Sequence, residues 1–508
     1  MPRVLSRKFR LLIWMSVSGL LAVFLWGGGL SAVRGQVPQP AARPAASPEA
    51  TSSPGTSERR TSSKSVIGAL RDQILGSPVL EEAGAADSLL ESLDEADSLF
   101  QDAKRRNRDA LRRLNQRPRH GQAAGPQPQN IVVVVFERLG PQRLDADEIG
   151  AAMPNLRRLA AQGATFAQAY AGSADVDTSY WTLLTGKNTG RLAAGVNTTN
   201  DLGLDPALPE LLERAGYVTA GVGHWPMRPE PTNAGFDFWS GISGTEVRAE
   251  LHPREMSLGA ARMQVPGNRE NLRGSTLWQL VEAELTSWLS ARPSSAEPFC
   301  LVARLPIPDR DSVAGAVGLE TLQAWDHVLE TLGDSLERNG LSERTCIIAT
   351  ALVSETEAAG PLSGSRLSEQ HLRIPLVVAG SFWKTGEAKI DRPVALWDVL
   401  PSCLALAASN RSPADRDGVP FVARGGNAVS PTDRVLYWRS PDQARDQAVR
   451  KGRWKAIYSA KDQRVLLFDL ENDPNERENV AVEHAEIVKE LLFGAPEAVN
   501  AALKKLQR

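Results

Sequence analysis

The chain has 508 residues, of which 42% are apolar and 23% charged, which allows a large buried core with appendages. Its formal net charge of −2 excludes a general electrostatic attraction to nucleic acid, so no nucleic acid partner is expected. With 6 histidines, a histidine-rich metal site would need most of them to meet.

The N-terminus combines a basic flank with an uncharged apolar segment at residues 11–33. This pattern predicts export of everything after residue 35. The segment is long enough to span a bilayer, which favours an uncleaved signal anchor at the cell envelope. A cleaved signal peptide over residues 1–35, with a secreted or periplasmic product, is the alternative.

Two segments separate this N-terminus from the main domain. Residues 36–64 are rich in Pro, Ala and Ser and are predicted to form a flexible linker. Residues 65–120 are predicted to form an amphipathic helical arm, because apolar residues recur at coiled-coil spacing. The acidic first half and basic second half favour self-association or a protein partner through residues 65–117. A single helix lying on the main domain is the alternative.

Strands and helices alternate over residues 129–430. The run NIVVVVF, from Asn130 to Phe136, predicts a strand that is buried on both faces of a parallel sheet. The amphipathic helices and short apolar runs that follow predict an α/β domain. From residue 431 to 508 the pattern changes to shorter strands and a last helix that begins near His484, which predicts a small antiparallel subdomain.

Three cysteines, Cys300, Cys346 and Cys403, lie in or beside apolar runs, and no two form a C-x-x-C pair. The pattern predicts buried, unreactive thiols. A disulfide between two of them is the alternative in an exported chain, and the sequence does not decide which two would pair.

Eight motifs in order carry a family resemblance. They include QNIVVVVFERLG, MPNLRRLAAQGATFAQAYAGS, LPELLERAGYVTAGVGHWPM, LRIPLVVAG and AVRKGRWKAIYS. With these motifs the chain resembles the sulfatase family of the alkaline-phosphatase superfamily, from about residue 129 to about residue 482. The resemblance implies a mixed, mostly parallel sheet between helix layers, with a small C-terminal antiparallel subdomain.

The nucleophile position of that family is altered. The family signature reads roughly C-x-P-S-R-x-x-L-L-T-G, and its cysteine is oxidised to a formylglycine that attacks sulfur. Here the matching stretch is VDTSYWTLLTG, so the cysteine position falls on Val176. The proline and arginine positions fall on Thr178 and Tyr180, and Asp177 is a polar neighbour.

The positions that bind calcium in the family are altered as well. They fall on Glu137, Arg138, Leu352 and Val353. Of these side chains only Glu137 offers oxygen ligands, whereas the guanidinium of Arg138 would repel a divalent cation. No metal and no other cofactor is therefore expected, and calcium is expected only if the site has been rebuilt.

Further basic positions are replaced. The lysine and histidine of the G-K-W-H motif fall on His224 and Pro226, and the histidine of A-P-H falls near Asp309. The lysine expected before LRIPLVV falls in a stretch whose alignment stays open and which contains Arg366, Glu369 and His371.

These losses predict a catalytically inactive sulfatase-like protein, a pseudosulfatase, with a binding or assembly role at the cell envelope. Candidate binding residues are Glu137, Asp177, Tyr180 and His224, which should meet at the carboxyl edge of the sheet. The alternative is a hydrolase of sulfate or phosphate esters with a rebuilt active site, in which Asp177 and His224 are the polar candidates.

Four tryptophans lie near the altered motifs: Trp181, Trp225, Trp239 and Trp325. Core packing is the simpler interpretation of this cluster. The alternative is an aromatic wall that would bind the sugar rings of a glycan partner.

Overall fold

A computed structural model gives the fold of the chain. Every described residue lies within one compact unit, Ser98–Arg508. The described residues are 129–144, 152–191, 201–203, 205–244, 251–259, 261–265, 268, 275–292, 297–308, 317–355, 365–381, 383, 388–409, 415–422, 431, 433–440, 446–459 and 464–493.

The apolar segment at 11–33, the linker at 36–64 and the helical arm at 65–120 lie outside the described residues, so the predictions for them stay predictions. Within the described ranges, no helix has both the length and the apolar character needed to cross a membrane.

The main sheet is 10-stranded and mixed, with the strand order β10-β2-β9-β8-β1-β7-β3-β4-β5-β6. Its strands are β1 (Asn130–Arg138), β2 (Ala164–Tyr170), β3 (Val218–Trp225), β4 (Phe238–Ser243), β5 (Glu255–Leu258), β6 (Ala261–Gln264), β7 (Phe299–Leu305), β8 (Thr345–Val353), β9 (Leu376–Gly380) and β10 (Ala388–Ala395). The central strands β8, β1, β7, β3 and β4 run parallel, whereas β9, β5 and β6 pair antiparallel with their neighbours.

Strand β1 lies in the middle of the sheet because its side chains are apolar on both faces. Val133 lies opposite Val302 of β7 and Ile348 of β8. The residues from Asn130 to Phe136 are all buried, which confirms the strand predicted from NIVVVVF. The carboxyl ends of β8, β1, β7 and β3 therefore meet along one edge of the sheet.

Helices connect and cover the strands. They are α1 (Pro154–Gln162), α2 (Val176–Thr185), α3 (Leu208–Arg214), α4 (Leu277–Ser290), α5 (Leu319–Arg338), α6 (Glu369–Leu372), α7 (Val399–Leu406) and α8 (Ala485–Phe493). Helix α4 begins with a capping box between Thr276 and Gln279. Helix α5 is amphipathic and buries Trp325 and Leu329 on its inner face.

A second, 4-stranded sheet follows the main one along the chain. Its antiparallel strands are β11 (Val435–Arg439), β12 (Gln447–Lys451), β13 (Trp454–Ser459) and β14 (Arg464–Asp469), in that order. Helix α8 begins at Ala485, one residue after the predicted start at His484. The fold class is thus confirmed, whereas the bounds predicted for the separate domains stay predictions.

The three thiols are free and buried, which confirms the simpler of the two expectations. Burial raises the pKa of Cys300 and Cys346 and raises that of Cys403 to about 12. Such thiols carry almost no thiolate at neutral pH and are therefore unreactive.

Candidate functional site

Val176 is the first residue of α2. The carboxylate of Asp175 caps this helix, since its Oδ1 accepts hydrogen bonds from Thr178 N at 2.8 Å and Thr178 Oγ1 at 2.6 Å. The Val176 side chain is half-buried and has no heteroatom that could attack an ester. The hydroxyl of Ser179, nearby on α2, is buried and donates to Ser173 O at 2.8 Å. The start of α2 therefore presents no nucleophile from these residues.

Asp177 forms an ion pair with Arg304, whose Nη2 lies 3.2 Å from its Oδ1. Arg304 is in β7 and its side chain is only 2% exposed. The guanidinium carbon also lies 4.8 Å from the centre of the Tyr180 ring, which is a cation–π contact. Among the described residues, neither Nε nor Nη1 of Arg304, nor the Tyr180 hydroxyl, has a hydrogen-bond partner.

Glu137 follows the buried part of β1, and its Oε2 accepts a hydrogen bond from Ile307 N at 3.1 Å. Burial raises the pKa of this carboxyl group, while the charge of Arg304 and the Ile307 N–H oppose that rise. One oxygen of Glu137 is thus already bound within the protein. We call Glu137, Asp177, Tyr180 and Arg304 the carboxyl-edge cluster.

The residues at the family's calcium positions do not fit that metal. Arg138 lies opposite Val353 across the β1–β8 pair, and both Leu352 and Val353 are buried apolar side chains. Burial lowers the pKa of Arg138, and neighbouring Glu137 opposes that shift. Calcium needs six to eight oxygen ligands. In the described part of the chain, no group of three or more His, Cys, Asp or Glu side chains is arranged to hold a metal ion.

His224 lies near the end of β3 and is buried. The preceding residue, Gly223, pairs with Arg304 of β7, so His224 lies at the same sheet edge as the carboxyl-edge cluster. Gly223 has a φ of +104°, and a Cβ atom built there would lie 1.9 Å from Arg304 O. Strands β3 and β7 can therefore approach this closely only with glycine at that position.

The segment from Ser365 to Arg373 lies beside the site. Arg366 Nη2 donates to Ala174 O at 2.8 Å, just before α2. His371 Nδ1 lies 2.7 Å from Ser368 Oγ. Burial lowers the pKa of His371 to about 4, with further lowering from Arg366, Lys455 and Arg138. Arg366 therefore places a positive charge beside the start of α2, whereas His371 is uncharged at neutral pH.

Glu369 is the remaining residue of the stretch whose alignment to the family stays open, and it contacts the small sheet. Its Oε1 accepts from Lys455 Nζ at 2.9 Å and its Oε2 accepts from the Tyr170 hydroxyl at 2.8 Å. Lys455 belongs to β13 of the small sheet. Asp309 lies outside the described residues.

The four tryptophans are core residues. Trp181, Trp225, Trp239 and Trp325 are each less than 9% exposed. Trp225 packs against Phe236 and Trp239 with ring centres 5.5 and 6.0 Å apart. These rings are therefore not available as an open wall for a sugar.

Of the predicted binding residues, the structure brings Glu137, Asp177 and Tyr180 together around Arg304 and places His224 on the neighbouring strand. Sequence reasoning missed Arg304 itself. The available signal was a single charged residue inside the otherwise apolar strand FCLVARL.

Comparison with known proteins gives matches to sulfatases. A family model described as Sulfatase matches residues 129–302. An N-acetylgalactosamine-6-sulfatase of Canis lupus familiaris is 35% identical over 398 residues, which cover 66% of this chain and 73% of that protein. An N-acetylgalactosamine-6-O-sulfatase of Bacteroides thetaiotaomicron is 25% identical over 494 residues, which cover 74% of this chain and 94% of that protein.

Solved structures share the fold. The crystal structure of Ps i-CgsB superposes with a TM-score of 0.60 at 19% identity and covers 72% of this chain and 92% of its own. The PsFucS1 sulfatase of Pseudoalteromonas sp. superposes with a TM-score of 0.54 at 16% identity, over 78% of this chain and 95% of its own.

Proposed function

The chain belongs to the sulfatase family, and because Val176 occupies its nucleophile position, we propose that it is a catalytically inactive member that binds rather than hydrolyses. The observation that carries the proposal is the start of α2, where the family places its formylglycine. A valine there offers no lone pair for attack on sulfur.

The altered calcium positions support the same proposal. Sulfate ester cleavage in this family depends on a cation that polarises the sulfate oxygens. At those positions Arg138, Leu352 and Val353 offer no oxygen ligands, and the one remaining carboxylate, that of Glu137, is hydrogen-bonded to Ile307 N. Adding a nucleophile alone would not restore the reaction.

The proposed ligand is a glycan that contains 6-sulfated N-acetylgalactosamine, because relatives of this chain are named for acting on that sugar. Arg366 lies just before the start of α2 and Arg138 lies close enough to feel its charge, so both would attract a sulfate group. We further propose that residues 11–33 hold the protein at the cell envelope, and that residues 65–117 contact a protein partner or a second copy of the chain.

The test uses the full chain with a 6-sulfated N-acetylgalactosamine oligosaccharide. Isothermal calorimetry measures binding, and ion chromatography measures released sulfate. We expect saturable binding without sulfate release, and binding that EDTA does not change. Arg366→Gln should weaken binding about tenfold, the effect of one lost charge-assisted hydrogen bond.

Arg262→Gln is the matched control, because Arg262 is an exposed arginine on β6, at the far edge of the sheet. It should leave binding unchanged. Release of sulfate or phosphate from an ester by the unmodified chain would favour the alternative, a hydrolase with a rebuilt site. The absence of both binding and release would contradict the binding role.

A further inference from the structure

Arg304 is an uncommon residue for its position. It lies in β7, whose seven residues are all buried and otherwise apolar. Removing a guanidinium charge from water costs several kcal/mol unless opposite charges compensate. A buried arginine in a central strand therefore needs partners that account for it.

Its partners are the acidic residues at the sheet edge. Asp177 Oδ1 lies 3.2 Å from Nη2 of Arg304. The positive charge of Arg304 lowers the pKa of Glu137 more than the charge of the adjacent Arg138 does. The Tyr180 ring, 4.8 Å from the guanidinium carbon, covers one face of the group. Two carboxylates and a π face thus surround one cation.

These two carboxylates lie where a metal would be expected from the family. Glu137 occupies one of the calcium positions, and Asp177 adjoins the nucleophile position. A divalent cation bound between them would lie next to the guanidinium, and the repulsion at about 4 Å would reach several kcal/mol at an intermediate dielectric. The guanidinium and a divalent ion therefore compete for the same two acids.

The position of Arg304 is also held firmly by the backbone. The Cβ position of Gly223 would be 1.9 Å from Arg304 O, so β3 packs directly against the Arg304 peptide unit. This close approach fixes the backbone position from which the Arg304 side chain extends.

We propose that Arg304 is a built-in cation that takes the place of a divalent metal between Glu137 and Asp177. The site then keeps a positive charge beside these two acids without any metal ion. Arg304 has this role whichever ligand the protein binds.

The test replaces Arg304 with methionine in the full chain, which removes the charge but keeps a long side chain. Thermal unfolding is followed with and without calcium, and terbium luminescence reports binding directly. The unmodified protein should show no calcium-dependent change in Tm. Arg304→Met should have a lower Tm without metal and should regain about 2 °C in about 10 mM calcium, as expected for a weak carboxylate site.

Two controls separate a charge effect from a packing effect. Arg292→Met removes another buried arginine, one that stacks on Trp288 and Phe299 at 4.9 and 5.3 Å. It should lower the Tm without creating a calcium response. Arg304→Met combined with Glu137→Gln should lose the calcium response that the single variant gains.

Two outcomes would overturn the proposal. One is a calcium response of the unmodified protein as large as that of Arg304→Met. The other is a folded Arg304→Met variant without any response to calcium or terbium.

If Arg304→Met does not fold, the triple variant that adds Glu137→Gln and Asp177→Asn decides. That variant removes the whole charge set and should fold, because neutral replacement of a buried ion group is tolerated far better than removal of one partner. Failure of the triple variant to fold would also overturn the proposal, since Arg304 would then be needed for packing.

Discussion

Two ionic groups of the protein differ in how they relate to the family motifs. The carboxyl-edge cluster faces the start of α2. The second group, which we call the junction cluster, consists of Glu369, Lys455 and Glu476. It links the segment from Ser365 to Arg373 to the small sheet.

The central cation of the junction cluster lies in a stretch that resembles the family. Lys455 belongs to AVRKGRWKAIYS, and its Nζ lies 2.9 Å from oxygens of both Glu369 and Glu476. The contact with Glu476 Oε1 is an ion pair without hydrogen-bond geometry, while Glu476 Oε2 accepts from Glu369 N at 2.9 Å. Opposite charges lower the pKa of Glu369 against the effect of burial.

The carboxyl-edge cluster shows the opposite relation. Glu137, Asp177 and Tyr180 lie at or beside positions at which the family motifs are altered, and Arg304 replaces metal chemistry with a fixed charge. The comparison indicates that the lysine that joins the small sheet to Glu369 lies in a stretch that matches the family, whereas the residues at the reaction site have changed. The predictions below test this contrast.

The largest effect is expected at the junction cluster. Lys455→Met leaves Glu369 and Glu476 buried without their shared cation, which should cost about 3–5 kcal/mol of unfolding free energy. Urea unfolding of the full chain measures it. Lys451→Met is the control, because Lys451 pairs with Glu490 at the surface, where an ion pair contributes little, and the unfolding free energy should stay almost unchanged. Equal losses in both variants would contradict a structural role for the junction cluster.

A somewhat smaller loss is expected beside the carboxyl-edge cluster. Gly223→Ala places a Cβ against Arg304 O in a left-handed conformation, which should cost about 2–4 kcal/mol. Urea unfolding again provides the measurement. Gly333→Ala is the matched control, since Gly333 lies inside α5 and an added Cβ would meet Arg158 Nη2 at an ordinary contact distance of 3.7 Å, so the variant should gain up to about 1 kcal/mol. A neutral Gly223→Ala would mean that β3 does not fix Arg304.

The sequence predicts the scaffold well because scaffold signals are local. The β-branched run of β1 indicates a strand buried on both faces, and the LLTG ending locates α2 and hence Val176. Arg304 could not be predicted in the same way. Its partner Asp177 is 127 positions away, and a lone arginine in an apolar strand does not reveal which acid it will face.

The alignment of Arg366, Glu369 and His371 stayed open for a related reason. These residues are close in sequence but have different partners. Arg366 precedes the four-residue helix α6, whereas Glu369 and His371 lie within it. Arg366 binds the carbonyl before α2, whereas Glu369 binds Lys455 of the small sheet. Only tertiary packing separates these roles, so spacing along the chain could not assign them.

A third prediction concerns the effect of pH on stability through His371, in the segment from Ser365 to Arg373. His371 has a folded-state pKa of about 4 against its usual 6.5. Between about pH 4 and about pH 6.5 the unfolded chain therefore binds the proton more readily than the folded chain does. The free energy of unfolding falls as the pH drops through this range. His371→Asn should remove about 1 kcal/mol of this loss at about pH 5, allowing for solvent screening at a half-buried ring.

Urea unfolding at several pH values measures the difference between variant and unmodified chain. His327→Asn is the control, because a hydrogen bond with Glu330 raises the pKa of that exposed histidine. A raised pKa stabilises the fold at low pH, so this substitution should not reduce the acid sensitivity. An unchanged pH profile in His371→Asn would mean that burial and the neighbouring positive charges do not lower the pKa of His371 in the folded protein.

The smallest expected effect is on catalysis. Val176→Cys restores the family's nucleophile position at the start of α2, and the variant should be expressed together with a formylglycine-generating enzyme. It should still release no sulfate from a 6-sulfated N-acetylgalactosamine substrate, because the side chains of Arg138, Leu352 and Val353 cannot bind calcium and Arg304 already supplies the positive charge beside Glu137 and Asp177. Mass spectrometry of the residue-176 peptide, which shows whether the aldehyde has formed, is the necessary control. Turnover by a variant that carries the aldehyde would show that Arg304 can serve the reaction as its cation, and the contrast between the two clusters would then lie in the identity of the cation rather than in the loss of chemistry.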